Sequence, residues 1–238
     1  MIRRFTFVRR AAGQSPESFH AAWRDRHLSL LDDHPALRSG VLHWELLHRM
    51  DEDYARSREA TELEGLQWDG VSVQSVKDEA ALAALDAALA GSALAPGKDG
   101  DLLAATRSSV LTAAPTVIVE RPGGKEQAGM RLSAILRHNA ALDLPAFHQH
   151  WRENHGGLYR NVPALSEPVL HYDQNHGLDL PGAGFDGVTE QWFASLDAWV
   201  DSICVPEQSG MIEPDVAYFL EPGSISYVLS GKPTVLIG

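Results

Sequence analysis

Phe19-His20-Ala21-Ala22-Trp23-Arg24-Asp25-Arg26-His27 leads into Pro35-Ala36-Leu37 and Val41-Leu42-His43, and the chain then writes the whole pattern a second time. The second copy reads Phe147-His148-Gln149-His150-Trp151-Arg152-Glu153-Asn154-His155, then Pro163-Ala164-Leu165 and Val169-Leu170-His171. Each matched pair stands 128 residues apart, so the copies align without a gap across a helix, a turn and a strand. A duplicated domain is the simplest cause. Outside this block Arg3 and Arg9 match Arg131 and Arg137, and His48 matches His176. Further on the offset shortens, with Asp69-Gly70-Val71 against Asp186-Gly187-Val188 and Pro115-Thr116-Val117 against Pro233-Thr234-Val235.

Local patterns assign the elements. Arg3 to Arg9 alternates like a short strand, and Arg131 to Arg137 repeats it. Ser15-Pro16 supplies an N-cap and a first-turn proline, and Asp143-Leu144-Pro145 does the same in the second copy. From there Phe19, Trp23, His27, Leu30 and Leu31 fall on one helical stripe, with His20 and His27 along its edge. His148, His155 and Tyr159 mark the same edge in the second copy, whose helix is expected from Pro145 to Val162. Val41 to His48 reads as a strand with Val41, His43, Glu45 and Leu47 on one face. Asp51 to Glu64 is expected to be a surface excursion, Leu66 to Val76 a strand, and Asp78 to Leu89 an alanine-rich helix. Val110 to Val119, interrupted at Pro115, is expected to close the first half as an edge strand. The second half repeats this order, with a strand at Val169, another at Gly187 to Ser195, a short helix at Asp197 to Ile203, an irregular stretch from Pro206 to Pro222, and a last strand from Ser226 to Ile237. Each half is therefore β-α-β-β-α-β, the ferredoxin-like order. The expected division is residues 1–120, a linker over 121–129 rich in proline and glycine, and residues 130–238.

The chain has 238 residues, a formal charge of −12, 44% hydrophobic and 22% charged residues, so it belongs with globular proteins. The acidic balance leaves no basic footprint for a nucleic acid. Cys204 is the single cysteine, which excludes an internal disulfide and fits a reducing compartment. No apolar run approaches the roughly eighteen residues of a membrane span. The expectation is a cytoplasmic protein with neither a membrane nor a nucleic-acid partner.

The pattern Phe-x3-Trp-x3-His-x2-Leu, followed by Pro-x-Leu and a strand carrying a histidine, resembles the EthD-like members of the dimeric α/β-barrel superfamily. It stands here as Phe19, Trp23, His27, Leu30, Pro35, Leu37 and His43, and again as Phe147, Trp151, His155, Leu158, Pro163, Leu165 and His171. The resemblance implies an α+β fold in which two tandem ferredoxin-like repeats form an intrachain dimeric α/β-barrel. It also implies a hydrophobic pocket between sheet and helices, with histidines as acid and base. The superfamily includes cofactor-independent dehydratases and cyclases, isomerases, monooxygenases and some haem-binding enzymes.

His27 and His155 are the first candidates for proton transfer, since imidazole titrates closest to neutrality. His43 with Glu45 and His171 with Asp173 are the second, because the two-residue period of a strand sets each histidine beside its acid. Tyr159 and Tyr172 replace Leu31 and Trp44 of the first copy, which directs attention to the second pocket. The candidate catalytic set is His155, His27, His171, His43 and Tyr159. Trp151, Trp23, Tyr172, Trp44, His148, His20 and Asn154 are the candidate substrate contacts. No His-x3-His lies on the matched edge and no phosphate loop or nucleophile elbow occurs, so neither a metal nor a cofactor is assigned. The expected activity is a cofactor-independent lyase or isomerase, of dehydratase or cyclase type, acting on a small hydrophobic oxygenated molecule, aromatic or polyketide-like. The alternatives are a monooxygenase or haem- or metal-binding redox protein of the same fold, and a binding protein without chemistry. Association of two such chains into a homodimer stays open.

Overall fold

The computed structural model describes residues 1–57, 68–95, 98, 102–179 and 185–238. The first repeat runs β1 (Ile2–Arg10), α1 (Pro16–Asp33), β2 (Val41–His48), α2 (Asp51–Ser57), β3 (Gly70–Val76), α3 (Glu79–Gly91) and β4 (Leu103–Thr112). Then follow β5 (Thr116–Glu120), α4 (Gly124–Gln127), β6 (Met130–Leu136), α5 (Leu144–His150), α6 (Gly156–Asn161), α7 (Pro163–Ser166), β7 (Val169–His176) and β8 (Gly187–Phe193). The chain ends with α8 (Leu196–Ile203), α9 (Glu213–Phe219), β9 (Ser226–Ser230) and β10 (Thr234–Ile237). Of the excursion expected over 51–64, the first seven residues form α2, and 58–64 lie outside the described residues. The strand expected from Leu66 starts at Gly70, and Leu66 and Gln67 also lie outside them.

Two five-stranded antiparallel sheets result, in the orders β10-β2-β3-β1-β4 and β5-β7-β8-β6-β9. Four consecutive strands of each, β2-β3-β1-β4 and β7-β8-β6-β9, keep the ferredoxin-like order. The strands expected over 110–119 and 226–237 each prove to be two. Proline cannot donate to a strand ladder. At Pro115 and Pro233 each stretch breaks, and its second part crosses to the other sheet: β5 pairs with β7 and β10 with β2. Each repeat thus supplies the outermost strand of its neighbour's sheet. The segment expected as a linker carries α4, whose Gly124 lies so close to β7 that a Cβ there would stand 2.3 Å from the Leu170 carbonyl oxygen.

Each sheet has two buried faces. One packs under its own helices: Phe19, Trp23, Leu30 and Leu31 of α1 meet Trp44 and Leu46 of β2, as their helical spacing requires. The other face meets the opposite sheet, where Phe5, Phe7, Leu47, Val71 and Val73 interlock with Ile135, Val188 and Val228. A bulge between Val41 and His43 turns Val41 to the helix side with Trp44, away from the face that alternation predicts. The repeated Asp-Gly-Val has a packing cause. A Cβ on Gly70 would lie 2.6 Å from Trp23 Cζ3, and one on Gly187 2.6 Å from Trp151 Cζ3, so glycine is what lets each indole reach the sheet.

The matched helices differ in one respect. α1 is regular throughout, whereas its counterpart is interrupted by a π-helical turn at Trp151–His155 between α5 and α6. Such turns are frequent at functional sites.

Candidate functional site

A cavity of about 450 Å³ opens between sheet and helices in the first repeat, and one of about 230 Å³ in the second. His27 and Trp23 line the first. His155, Trp151, Tyr159 and Tyr172 line the second. Other expected contacts lie elsewhere. Trp44 is wholly buried beneath the first cavity, with its indole N–H on Ser72 Oγ at 3.0 Å. Asn154, one step around the helix from His155, points to solvent. His20 and His148 donate from Nε2 to the carbonyls of Asp69 and Asp186, and their rings rest on His48 and His176.

The strand pairs form as their spacing predicts, with His43 Nε2 3.3 Å from Glu45 Oε2 and His171 Nε2 2.7 Å from Asp173 Oδ1. They sit on the wrong face for the expected role. Trp44 and Tyr172 turn toward the helices, so the adjacent His43 and His171 turn between the sheets, behind the strand from His27 and His155. They cannot polarise a ligand held in either helix-side cavity. Asp173 also accepts from Lys125 of α4 at 2.8 Å, and Glu45 belongs to the link between the sheets. Glu45 accepts from Arg131 at 2.8 Å, Arg131 also reaches Glu190 at 3.2 Å, and Glu190 accepts from Arg3 at 3.0 Å. Burial alone would raise the Glu45 carboxyl, but Arg131 and His43 outweigh it and hold it at about 2.

The two matched histidines have different surroundings. His27 Nδ1 donates to the Trp23 carbonyl four residues back at 2.8 Å, and burial lowers its pKa to about 4. It is a neutral ring tied to its own helix, and no carboxylate among the described residues pairs with it. In the second repeat that helical carbonyl is already taken: Gln174 Nε2 donates to Trp151 O at 2.7 Å, where the first repeat has Leu46. Within the π turn His155 is released, and its Nδ1 donates to Asp215 Oδ2 at 2.8 Å. Burial would raise the Asp215 carboxyl, but the hydrogen bonds from His155 and His150 hold it below the usual range. The imidazole is therefore oriented by a carboxylate through Nδ1, with Nε2 unbonded among the described residues.

The cavity adds neutral donors to this dyad. Burial, with Tyr172 beside it, pushes the Tyr159 hydroxyl well above its ordinary value, against a hydrogen bond from Gln191. Burial likewise raises Tyr172, whose oxygen accepts from Trp151 Nε1 at 3.3 Å and Gln174 Nε2 at 3.2 Å. Both remain protonated phenols, able to donate to a developing oxyanion. The other walls are apolar, including Leu132, Ala134, Ile212, Val216 and Phe219.

Asp215 is the residue that sequence reading missed. It belongs to α9, inside the stretch expected to be irregular because Pro206, Gly210, Pro214 and Pro222 punctuate it. The signal was present in Ile212, Val216, Phe219 and Leu220, a helical stripe that carries Asp215 beside it. As for a prosthetic group, the cavity's 230 Å³ lies under the roughly 300–1,000 Å³ of drug-sized ligand pockets. A porphyrin is larger than most such ligands, so this cavity does not admit one as it stands. No cluster of three or more His, Cys, Asp or Glu suited to a metal occurs among the described residues, nor any helix long and apolar enough to cross a membrane.

Comparison with known proteins bears on this fold and this half of the chain. Residues 139–223 match the EthD domain. Search of curated proteins found no match. Among solved structures, an anthrone oxidase-like protein superposes with a TM-score of 0.58 at 10% identity, over 98% of this chain and 92% of that one. A monooxygenase-like protein from Fusobacterium nucleatum subsp. nucleatum gives 0.53 at 8% identity, over 100% and 94%. Chlorite dismutase from Candidatus Nitrospira defluvii gives 0.51 at 12%, over 97% and 91%. Identities this low speak for the fold alone. The EthD match thus spans His155 and Asp215, and the two ferredoxin-like sheets packed face to face share the fold of these solved structures.

Proposed function

We propose that the protein is a cofactor-independent lyase or isomerase whose working site is the cavity of the second repeat. The observation that carries this reading is the Asp215–His155 pair, 2.8 Å apart, opening on an apolar cavity that also holds two neutral phenols. His155 Nε2 takes a proton from carbon or oxygen of a small, hydrophobic, oxygenated substrate. Asp215 fixes the tautomer and stabilises the imidazolium that forms. The negative charge left on the substrate oxygen is met by Tyr159 or Tyr172. Return of the proton elsewhere on the molecule gives isomerisation, and its delivery to a departing hydroxyl gives dehydration. His27 lacks the carboxylate and serves the fold of its own repeat.

A second reading uses the same base. The neighbours named above carry oxidative names, and a substrate carbanion formed by His155 could meet dioxygen rather than eliminate. The experiment is activity of the parent, His155→Ala, Asp215→Asn and His27→Ala on hydroxylated aromatic and lactone substrates. Folding is checked by circular dichroism and oxygen uptake is monitored. The expected result is loss in the first two variants, retention in His27→Ala, and no oxygen uptake. Oxygen uptake lost with His155 selects the second reading, and full activity in folded His155→Ala overturns both.

A further inference from the structure

The first-repeat cavity of about 450 Å³ carries a buried polar atom with nothing to bond. Gln74 of β3 lines it and is 2% exposed; its Nε2 donates to Ser72 Oγ, and its Oε1 has no hydrogen-bond partner among the described residues. The second repeat has such a partner in place. There Gln191, which matches Gln74, is hydrogen-bonded to the Tyr159 hydroxyl, but the first-repeat residue that matches Tyr159 is Leu31. A buried amide atom left unpaired is costly, and few are found in folded proteins. The rest of the cavity decides what can pair with it. Val8, Leu89, Leu94 and Leu103 make its walls apolar. Arg4 also lines it but is ion-paired with Asp86, and burial keeps His27 neutral, so the lining carries no net charge.

We propose that this cavity is a second binding site, which takes a neutral, hydrophobic, ring-sized molecule whose hydroxyl bonds the Gln74 amide where the first repeat lacks a tyrosine. A hydroxyl both donates and accepts, so it satisfies that amide whichever way its oxygen and nitrogen are turned. The volume falls within the roughly 300–1,000 Å³ of pockets that hold small molecules. The site holds its ligand without transforming it. His27 Nδ1 is tied to the Trp23 carbonyl at 2.8 Å, and no carboxylate among the described residues orients the ring. Binding here is independent of the chemistry assigned to His155.

Trp23 lines this cavity, whereas Trp151 and Trp199 line the other, so proton–nitrogen spectra of the tryptophan-labelled protein follow the two sites separately. The probes are para-ethylphenol and para-ethyltoluene, which differ only in a hydroxyl against a methyl of nearly equal size. Burial alone favours the methyl, the more apolar group, so a preference for the hydroxyl reports the hydrogen bond. The expected result is a saturable shift of the Trp23 indole signal with para-ethylphenol, at an affinity about tenfold or more tighter than for para-ethyltoluene. Gln74→Leu removes the amide and should reverse that order, while His155→Ala should leave the Trp23 response unchanged. Absence of a saturable shift at Trp23, the behaviour of a cavity filled with water alone, overturns the proposal. Binding of para-ethyltoluene by the parent as tightly as para-ethylphenol does the same, as does an unaltered preference in folded Gln74→Leu. If that variant fails to fold, the parent's choice between the probes decides alone. Should the probes bind as expected while His155→Ala keeps full activity, it is the proton-transfer reading that fails and the first-repeat site that stands.

Discussion

Replacing Gly187 with alanine tests the contact on which the second cavity is built. The added methyl would stand 2.6 Å from Trp151 Cζ3, 3.0 Å from Cη2 and 3.1 Å from the Asn175 carbonyl oxygen. Carbon atoms rest at about 3.5–4.0 Å, so the indole or the strand must retreat by about 1 Å. Neither has room. Trp151 is 1% exposed, stacked on Phe147 with ring centres 5.6 Å apart, and donates to Tyr172. Overpacking of this kind costs about 1–3 kcal/mol, and each kcal/mol lowers the melting temperature of a chain of this size by roughly 2–4 °C. Urea unfolding of the parent, Gly187→Ala, Trp151→Phe and the double variant measures both the cost and its origin. Phenylalanine vacates the space that the methyl needs, so the double variant should be more stable than the sum of the singles predicts, by about 0.5–3 kcal/mol. Strict additivity would refute the contact as the reason for glycine. Gly70→Ala with Trp23→Phe should behave alike, since its methyl would also meet the indole at 2.6 Å.

Other consequences can be measured without a substrate. Burial lowers His27 to about 4 and His48 and His176 to about 3, with nearby His20 and His148 adding to the last two. The unfolded chain therefore binds protons first: their contribution to stability is complete above about pH 6.5 and is lost as pH falls toward 3–4. The urea midpoint should decline through that window, and a flat profile would count against it. Asp173, Asp215 and Glu45 are held below their ordinary values, so their contribution is present above about pH 4 and lost only at lower pH. Arg131→Met removes the arginine from Glu45 and leaves Glu190 with Arg3 alone, and should cost up to about 3–5 kcal/mol. Adding Glu45→Gln should recover part of that loss in the same unfolding assay.

Much of the fold was legible because the repeated stretch fixes a helix by its buried spacing and a strand by its alternation. Phe19, Trp23, His27, Leu30 and Leu31 are the buried residues of α1, and β2 spans Val41–His48. The exchange of β5 and β10 was not legible. Alternation reports that a residue is buried, not which sheet buries it, and Thr116 to Glu120 would read the same in either. The same limit hid the site. His43 beside Glu45 was visible from a two-residue period, yet only the sheet's placement shows that the pair faces away from His27. Asp215 was obscured because prolines and a glycine concealed the stripe of Ile212, Val216 and Phe219.

The crossing of β5 and β10 also bears on how the repeats could diverge. In a homodimer of single repeats every substitution appears twice, once in each symmetric site. Here the halves are clasped, each sheet closed by a strand from the other half, so neither can be discarded without opening the edge of its neighbour. That mutual dependence holds both copies to the architecture while leaving their interiors free to differ. Gln174 and His150 stand in one half only, and the half with Leu46 and Ala22 in their places is the mould in which the other is held.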